Sequence, residues 1–327
     1  MENNLREIAI KLSSPPGVIV AADESPSTMK TRLENVGVVD SFEMRSEWRE
    51  LIADAAIAEA GAAGIILHPE MLEVPEVVEA LKKQKVIIVV KIDGGLTDFG
   101  ENGEQTTKYA EDLEELLLKW KSLGAAATKF RSVFKISEIT PSEQLIQANA
   151  KVQAILAKMS QDAGLVPMIE PEVLRTGSHS LKKDIEVTGR VLDAVFAETL
   201  KAGVRYSEAI LKPNMITAGE DCADSPTVEE VAQATLEVLM SHVPNEIAGM
   251  NFLSGGISDE LSEQYLNKIC QLAKEKGIEK ISASFGRAIV GAPLKIWAGN
   301  DANKKAAQEV LIERIKRSSL ARQGLLS

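Results

Sequence analysis

Lys212 stands where an apolar run, Ala209-Ile210-Leu211, meets Pro213. Such a run reads as a short buried strand, and the proline stops any helix from following. The amine therefore sits at the junction of a buried strand and a loop. An ammonium buried without a full partner relieves its cost by giving up its proton more easily. A lysine amine freed in this way attacks carbonyls and forms a Schiff base. A salt-bridged lysine at a strand end gives the same local pattern, so the surroundings must decide. Chemistry-bearing residues also end the other apolar runs. They are Asp23, His68 or Glu70, Lys91, Lys129 with Arg131, Glu170 with Glu172, Ser254 and Arg287.

Those residues need elements to bring them together. Apolar, β-branched runs read as strands at 18–22, 65–67, KVIIVVK, AAATKFRSVFK, LVPMIEPEVL, 209–211, GMNFL and KISASF. Helical spacing reads at 3–13, from 40 or 41 to 60 with Gly61 and Gly64 bracketing its stop, 71–84, 109–123, 181–202, 259–276 and 303–318. Thr140-Pro141-Ser142-Glu143 reads as a capping box opening a helix to about 162, and Thr227 with Glu230 as a second box opening one to 242. The segment 94–107 reads as a polar, glycine-rich loop. Eight strands each followed by a helix fit a doubly wound sheet or a barrel, and the count and length favour a (β/α)8 TIM barrel with extra N- and C-terminal helices. The expected organisation is one domain spanning 1–327. In a barrel, the C-terminal ends of all strands converge on one mouth.

That mouth would hold three lysines, two arginines and several carboxylates. Crowded lysines repel, so the most buried loses its proton most easily; Lys212 is the choice, with Lys91 and Lys129 expected to pair with Asp23 or Glu170. Ser254-Gly255-Gly256 resembles a backbone phosphate cradle, and Gly286-Arg287 follows one unit later, where late barrel strands commonly hold phosphate. The carboxylates Asp23, Glu170 and Glu172 are available for proton transfer. The residues alone thus point to a barrel enzyme for a phosphorylated carbonyl compound, working through a lysine imine.

Composition bounds the rest. The 327 residues are 45% hydrophobic and 26% charged, enough for a large core. No apolar run has membrane-spanning length, and the N-terminus reads as an amphipathic helix rather than a signal peptide. The net charge of -11 argues against nucleic-acid or anionic-membrane partners. Cys222 and Cys270 cannot build a disulfide framework and fit a reducing, cytoplasmic setting. The three histidines, His68, His179 and His242, lack metal-site spacing, and no cofactor or metal is expected.

The motifs VAADES, KIDGG, NGEQTT, TKFRSVFKI, PMIEPEVL, ILKPNMI, FLSGG and SFGRA resemble, in order and approximate spacing, the class I fructose-bisphosphate aldolases of the animal and plant type. The resemblance runs from about residue 5 to residue 324. It implies a metal-independent (β/α)8 barrel, usually a homotetramer, that reversibly cleaves fructose 1,6-bisphosphate to dihydroxyacetone phosphate and glyceraldehyde 3-phosphate. It also implies roles: Lys212 as Schiff-base lysine, Glu170 as the acid–base for carbinolamine dehydration, and Asp23 as base for the C4 hydroxyl. Lys129 would be the cationic partner beside that centre and Glu172 the carboxylate that positions the lysines. Ser254, Gly255, Gly286 and Arg287 match the site for the phosphate near C1. Ser25, Thr28 and Lys91 match the distal-phosphate site, and Arg32 and Arg131 further mouth arginines.

Departures from the animal pattern are Phe285 for tyrosine, Thr28 for serine, Thr31 for a basic residue and Phe130 for tryptophan. The sequence ends at Leu325-Leu326-Ser327 without the long tail and terminal tyrosine of the animal forms, so either water or a mobile loop is expected to protonate the enamine or the step is expected to be slower. Two competing readings are a transaldolase-like or single-phosphate Schiff-base lyase, and a scaffold that has kept only the fold. The joint presence of Lys212, Glu170, Glu172 and Asp23 argues against the scaffold.

Overall fold

The structure, a computed structural model, describes residues 5–326. Its strands are β1 (Val18–Ala22), β2 (Ala62–Leu67), β3 (Ile87–Lys91), β4 (Leu96–Phe99), β5 (Glu104–Thr107), β6 (Ala125–Lys135), β7 (Val166–Leu174), β8 (Ile210–Leu211), β9 (Gly249–Phe252) and β10 (Ile281–Phe285). Its helices are α1 (Leu5–Ser13), α2 (Pro26–Glu34), α3 (Phe42–Asp54), α4 (Pro75–Lys83), α5 (Leu113–Leu123), α6 (Glu143–Asp162), α7 (Leu181–Lys201), α8 (Val228–His242), α9 (Asp259–Glu275), α10 (Arg287–Trp297) and α11 (Lys304–Arg322). Eight of the strands close a parallel barrel in the order β1-β10-β9-β8-β7-β6-β3-β2, and β4 with β5 forms a separate antiparallel hairpin. This is the TIM barrel expected from the strand–helix alternation.

Two layers of core follow from the two-residue period of a strand. Ile19, Ala21, Ile66, Val89, Ala127, Val166, Met168 and Ile210 point into the barrel, where they pack with Leu5, Ala9 and Leu12 of α1. The alternate residues, among them Val20, Ile65, Val90, Phe130, Ile169 and Leu211, pack outward against the helices. Helix α1 thus packs on the barrel's inner core. Gly64 is needed for that contact: a Cβ there would lie 2.5 Å from Leu12 Cδ2 and 3.0 Å from the Ile87 carbonyl. Asn251 ties the end of the helix down, donating to Leu12 O at 2.9 Å and accepting from Ser13 Oγ at 2.8 Å.

Several elements differ from the sequence reading. Gly64 lies inside β2, which starts at Ala62, and α3 stops at Asp54 rather than at 60. Residues 71–84 do not form one helix, because Pro75 opens α4 after a short 3-10 turn, Pro69–Glu73. Of the helix expected at 3–13, residues 3 and 4 lie outside the described residues. The box expected at Thr140 does not form, and a simple cap lies two residues on. Ser142 is the N-cap, accepting from Leu145 N, while the Thr140 hydroxyl pairs with Ser137. Thr227 and Glu230 do form the expected reciprocal box. The segment 94–107 is a hairpin rather than a loop. Glu104 anchors it by accepting from both Ser142 N and Ser142 Oγ at 2.7 Å, and Asn149 donates to Gln105 O and accepts from Thr106 Oγ1. Two helices went unread, α2 and α10, and both open on the barrel mouth.

Candidate active site

The period-two rule that fills the barrel also arms its mouth. Counting on by twos from the inward residues gives Asp23 after Ala21, Lys91 after Val89, Lys129 and Arg131 after Ala127, Glu170 and Glu172 after Met168, and Lys212 after Ile210. β8 has only two paired residues, but Lys212 N donates to Ile169 O at 2.7 Å and carries the strand geometry one residue further. The side chains meet in a cavity of about 400 Å³. Asp23, Ser25, Thr28, Arg32, Lys91, Lys129, Arg131, Glu170, Glu172, Lys212, Ser254, Gly255, Gly286 and Arg287 all line it.

His68 and Glu70 do not reach the cavity. His68 caps the 3-10 turn after β2, and Glu70 is taken by Arg45 of α3 at 3.1 Å. Sequence reasoning missed Glu24, Asp93 and Ser284, which do line it. Glu24 bridges Arg32 and the buried Arg49, the latter at 2.6 Å, and Arg49 also donates to Ala22 O at 2.8 Å. Ser284 is one strand period after Ser282, so the alternation on β10 marks it as inward-facing.

Four charged groups form the buried centre. Lys129 Nζ lies 3.0 Å from Asp23 Oδ2 and 2.8 Å from Glu170 Oε2, and the other Glu170 oxygen lies 3.3 Å from Lys212 Nζ. Glu170 therefore bridges the two lysines. Lys91 does not join them as expected; it pairs with Asp93 at 3.3 Å. Glu172, expected to hold the lysines, pairs with Arg131.

Burial separates the two lysines at the centre. For Lys129 burial disfavours the ammonium, but Asp23, Glu170 and Asp93 outweigh it and hold the group charged, above the ordinary lysine value. For Lys212 burial wins, helped by repulsion from Lys129, and its pKa falls despite Glu170 and Asp23. Burial alone would raise the Asp23 carboxyl. Lys129, Lys212 and Lys91 reverse that and hold it well below the ordinary carboxylate range. Burial likewise opposes ionisation of Glu170, and Lys129, Lys212 and Arg131 overcome it. The centre thus contains one lysine locked in its charged form, one readied to lose its proton, and two carboxylates held ionised.

Two cradles flank this centre. On one side Gly255 and Gly256 adopt successive left-handed conformations, with φ of 54° and 85°, beside the N-terminus of α10, where Gly286 is the cap and Arg287 the first residue. Backbone amides in such a nest and at a helix start suit an oxyanion. On the other side Ser25 caps α2, and its hydroxyl lies 3.0 Å from Ser27 Oγ and 3.1 Å from Thr28 Oγ1. Arg32, one turn beyond Thr28, lines the same side of the cavity.

Fold and mouth together define a TIM-barrel enzyme. The profile of the class-I fructose-bisphosphate aldolases matches residues 4–327. Fructose-bisphosphate aldolase C-B of Danio rerio is 37% identical over 99% of this chain and 91% of the relative. Fructose-bisphosphate aldolase B of Gallus gallus is 38% identical over 98% of this chain and 90% of its own. The Plasmodium falciparum fructose-bisphosphate aldolase, solved in complex with TRAP and a small-molecule inhibitor, superposes with a TM-score of 0.95 at 33% identity, covering 99% of this chain and 95% of that one. The chain belongs to the class-I fructose-bisphosphate aldolase family.

Proposed function

We propose that the enzyme cleaves fructose 1,6-bisphosphate reversibly through an imine on Lys212. The observation that carries this reading is a buried lysine 3.3 Å from a carboxylate oxygen in the mouth of an aldolase-family barrel, where burial lowers its pKa. Lys212 in its amine form attacks the substrate carbonyl to give a carbinolamine. Glu170, 3.3 Å from that nitrogen, takes the proton the Lys212 ammonium must shed to become the amine. A second amine proton passes to the carbinolamine oxygen, Glu170 returns its proton to that hydroxyl, water leaves, and the iminium remains with Glu170 again ionised. Asp23 then takes the proton of the C4 hydroxyl. The C3–C4 bond breaks, its electrons neutralise the iminium, and an enamine remains while the aldehyde product departs. Asp23 gains basicity during that step, because the Lys212 charge that depresses its pKa disappears as the proton arrives. Lys129 keeps its charge throughout and holds Asp23 and Glu170 in place. Glu172 fixes Arg131. The Ser254–Gly255 nest with Gly286 and Arg287 binds the phosphate near C1, and Ser25, Thr28 and Lys91, with Arg32 beside them, bind the distal one.

Borohydride added with dihydroxyacetone phosphate is expected to leave one covalent adduct, on Lys212 by peptide mapping, and a chelator is expected to leave activity unchanged. An adduct on another lysine, or none, removes the mechanism; loss of activity to the chelator points to a metal enzyme. The single-phosphate alternative is tested at the distal cradle. Ser25→Ala should raise KM for the bisphosphate roughly tenfold and leave the 1-monophosphate within about twofold. Equal effects on both substrates would favour the single-phosphate reading. The variant also loses the α2 cap, with an expected cost of about 1 kcal/mol in stability.

By family resemblance we infer a single barrel domain over 1–327, a homotetrameric assembly and a cytoplasmic location. No helix of the described residues is long and apolar enough to cross a membrane. Mass in solution by sedimentation checks the assembly.

A further inference from the structure

Residues 209–219 are all buried, yet regular structure ends at Leu211. A buried stretch without a ladder must find partners for its amides elsewhere. Lys212 N uses β7, and the Asn214 side chain accepts from Val173 N at 3.0 Å. Ile216 N donates to Thr235 Oγ1 of α8 at 2.9 Å. Thr217 N donates to Asp184 Oδ2 of α7 at 2.8 Å. The chain that carries Lys212 is thus held at Thr217 by one carboxyl group, two residues ahead of the backbone bond from Gly219 N to His179 O.

That carboxyl group is unusual in its company. Asp184 is 3% exposed, and its other oxygen lies 2.7 Å from Thr188 Oγ1. No cation pairs with it among the described residues. What faces it is the Thr188 hydroxyl on α7 and the Thr217 amide. Tyr265 of α9 bonds to Thr217 and is kept neutral by burial; Arg175 and His179 of the β7–α7 loop serve the adjoining residues 219–221. Both neighbours donate to the carboxyl group, the Thr188 hydroxyl to one oxygen and Thr217 N–H to the other; a neutral carboxyl keeps the Thr217 bond on its carbonyl oxygen and turns its own hydroxyl toward Thr188. An ionised one gains a stronger bond to the amide but has no counter-charge.

We propose that Asp184 is a positioning residue for Lys212, holding the chain that follows the lysine in its closed path while the carboxyl is protonated and releasing it when the carboxyl ionises. This rests on the assignment of Lys212 as the nucleophile only for its effect on catalysis; the clamp itself does not. Burial pushes the Asp184 carboxyl up to about 7. An opened loop would expose it to water, where an aspartate titrates near ~3.9. The closed form therefore binds the extra proton, is most favoured at low pH, and weakens as pH rises toward and through neutrality. Asp184→Asn reproduces the neutral acid, with its amide oxygen toward Thr217 and its NH2 toward Thr188. Asp184→Ala leaves the Thr217 amide buried without an acceptor.

The test is hydrogen exchange of the 213–219 segment by mass spectrometry at pH 6 and 8, corrected for intrinsic rates, alongside steady-state kinetics. In the native protein, protection of the segment should fall by roughly tenfold between those values. In Asp184→Asn it should stay constant across that range and exceed the native value at both pH values, because opening no longer releases a proton. Asp184→Ala should lose protection at both pH values and lower kcat about tenfold, with KM within about twofold, because the phosphate cradles lie on other strands. Parallel pH dependence in the native protein and Asp184→Asn overturns the proposal. So does full protection of the segment in Asp184→Ala. Altered protection with unaltered kcat in Asp184→Ala would remove the link to catalysis. If borohydride labels another lysine, the function assigned to Lys212 fails while the exchange result stands by itself.

Discussion

Lys212→Met is expected to abolish the borohydride-trapped adduct and to lower kcat by at least on the order of 10⁴-fold. The size follows from the absence of a substitute amine. Lys129 is the nearest one, but Asp23 and Glu170 hold it charged from both sides, so its lone pair is not available. Lys91 is engaged by Asp93. Without an imine, the electrons of the breaking carbon–carbon bond have no sink, and orientation by the phosphate cradles alone cannot replace it. The fold should survive. Methionine has nearly the length and shape of the lysine stem, and Glu170 keeps Lys129 as its partner. Removing a buried amine whose charged form is already disfavoured should leave the thermal transition within a few degrees of the native one. Dihydroxyacetone phosphate should still bind, because the nest proposed for its phosphate follows β9 and adjoins the start of α10, away from the substituted side chain. The check is mass spectrometry of the borohydride-treated protein with kcat and a calorimetric scan on the same preparation. An adduct on a second lysine at wild-type yield would show that Lys212 is dispensable.

How much of this was legible follows from which signals are local. Strand parity is local, so most residues that end an inward-facing row are legible: Asp23, Lys129, Glu170 and Lys212 fall on the same faces as Ala21, Ala127, Met168 and Ile210. Parity does not say where a residue goes once the strand has ended. His68 is inward by count, but Pro69 turns the chain and the imidazole caps the turn instead. Pairing across the barrel is not local either, so Lys91 with Asp93 and Glu172 with Arg131 could not be chosen over other partners. Helix α2 offered a start signal, Ser25 followed by Pro26, but it buries only Met29 and Leu33 and its apolar face is too thin to read. Helix α10 contains Gly291 and Pro293, residues that argue against a helix, and tertiary packing of Ile289, Val290, Leu294 and Trp297 overrides them. Both helices begin at the two proposed phosphate cradles, so the cradle residues are legible in the sequence while the helix ends that present them are not. Glu24 is out of step with the inward row by count although it lines the cavity; nothing in sequence links it to Arg49, and the link appears only when α3 packs behind β1.

Lys129→Met should damage stability where Lys212→Met does not, and its pH dependence should run opposite to that of the native protein. In the native centre the Asp23 and Glu170 carboxyls are depressed, so their contribution is present above the ordinary carboxylate values near ~4 and is lost as pH falls through the depressed ones. Remove Lys129 and the sign changes. Asp23 loses its hydrogen-bonded cation at 3.0 Å and Glu170 its closer one at 2.8 Å. Burial then dominates both carboxyls and raises them. The native state now holds protons that the unfolded chain releases, so stability falls as pH rises above ~4. Breaking a buried charge network from one side costs about 3–5 kcal/mol, which for a chain of this size lowers Tm by about 4–7 °C at neutral pH. The deficit should shrink toward pH 5, where the two carboxyls can protonate. Activity should fall as well, because a protonated Asp23 cannot take the C4 hydroxyl proton, and the residual rate should climb with pH as Asp23 ionises. Calorimetric scans of both proteins from pH 5 to 8 decide the matter. A deficit that does not vary over that range would mean that Lys129 contributes by packing alone, and that the ionised state of Asp23 and Glu170 has another source.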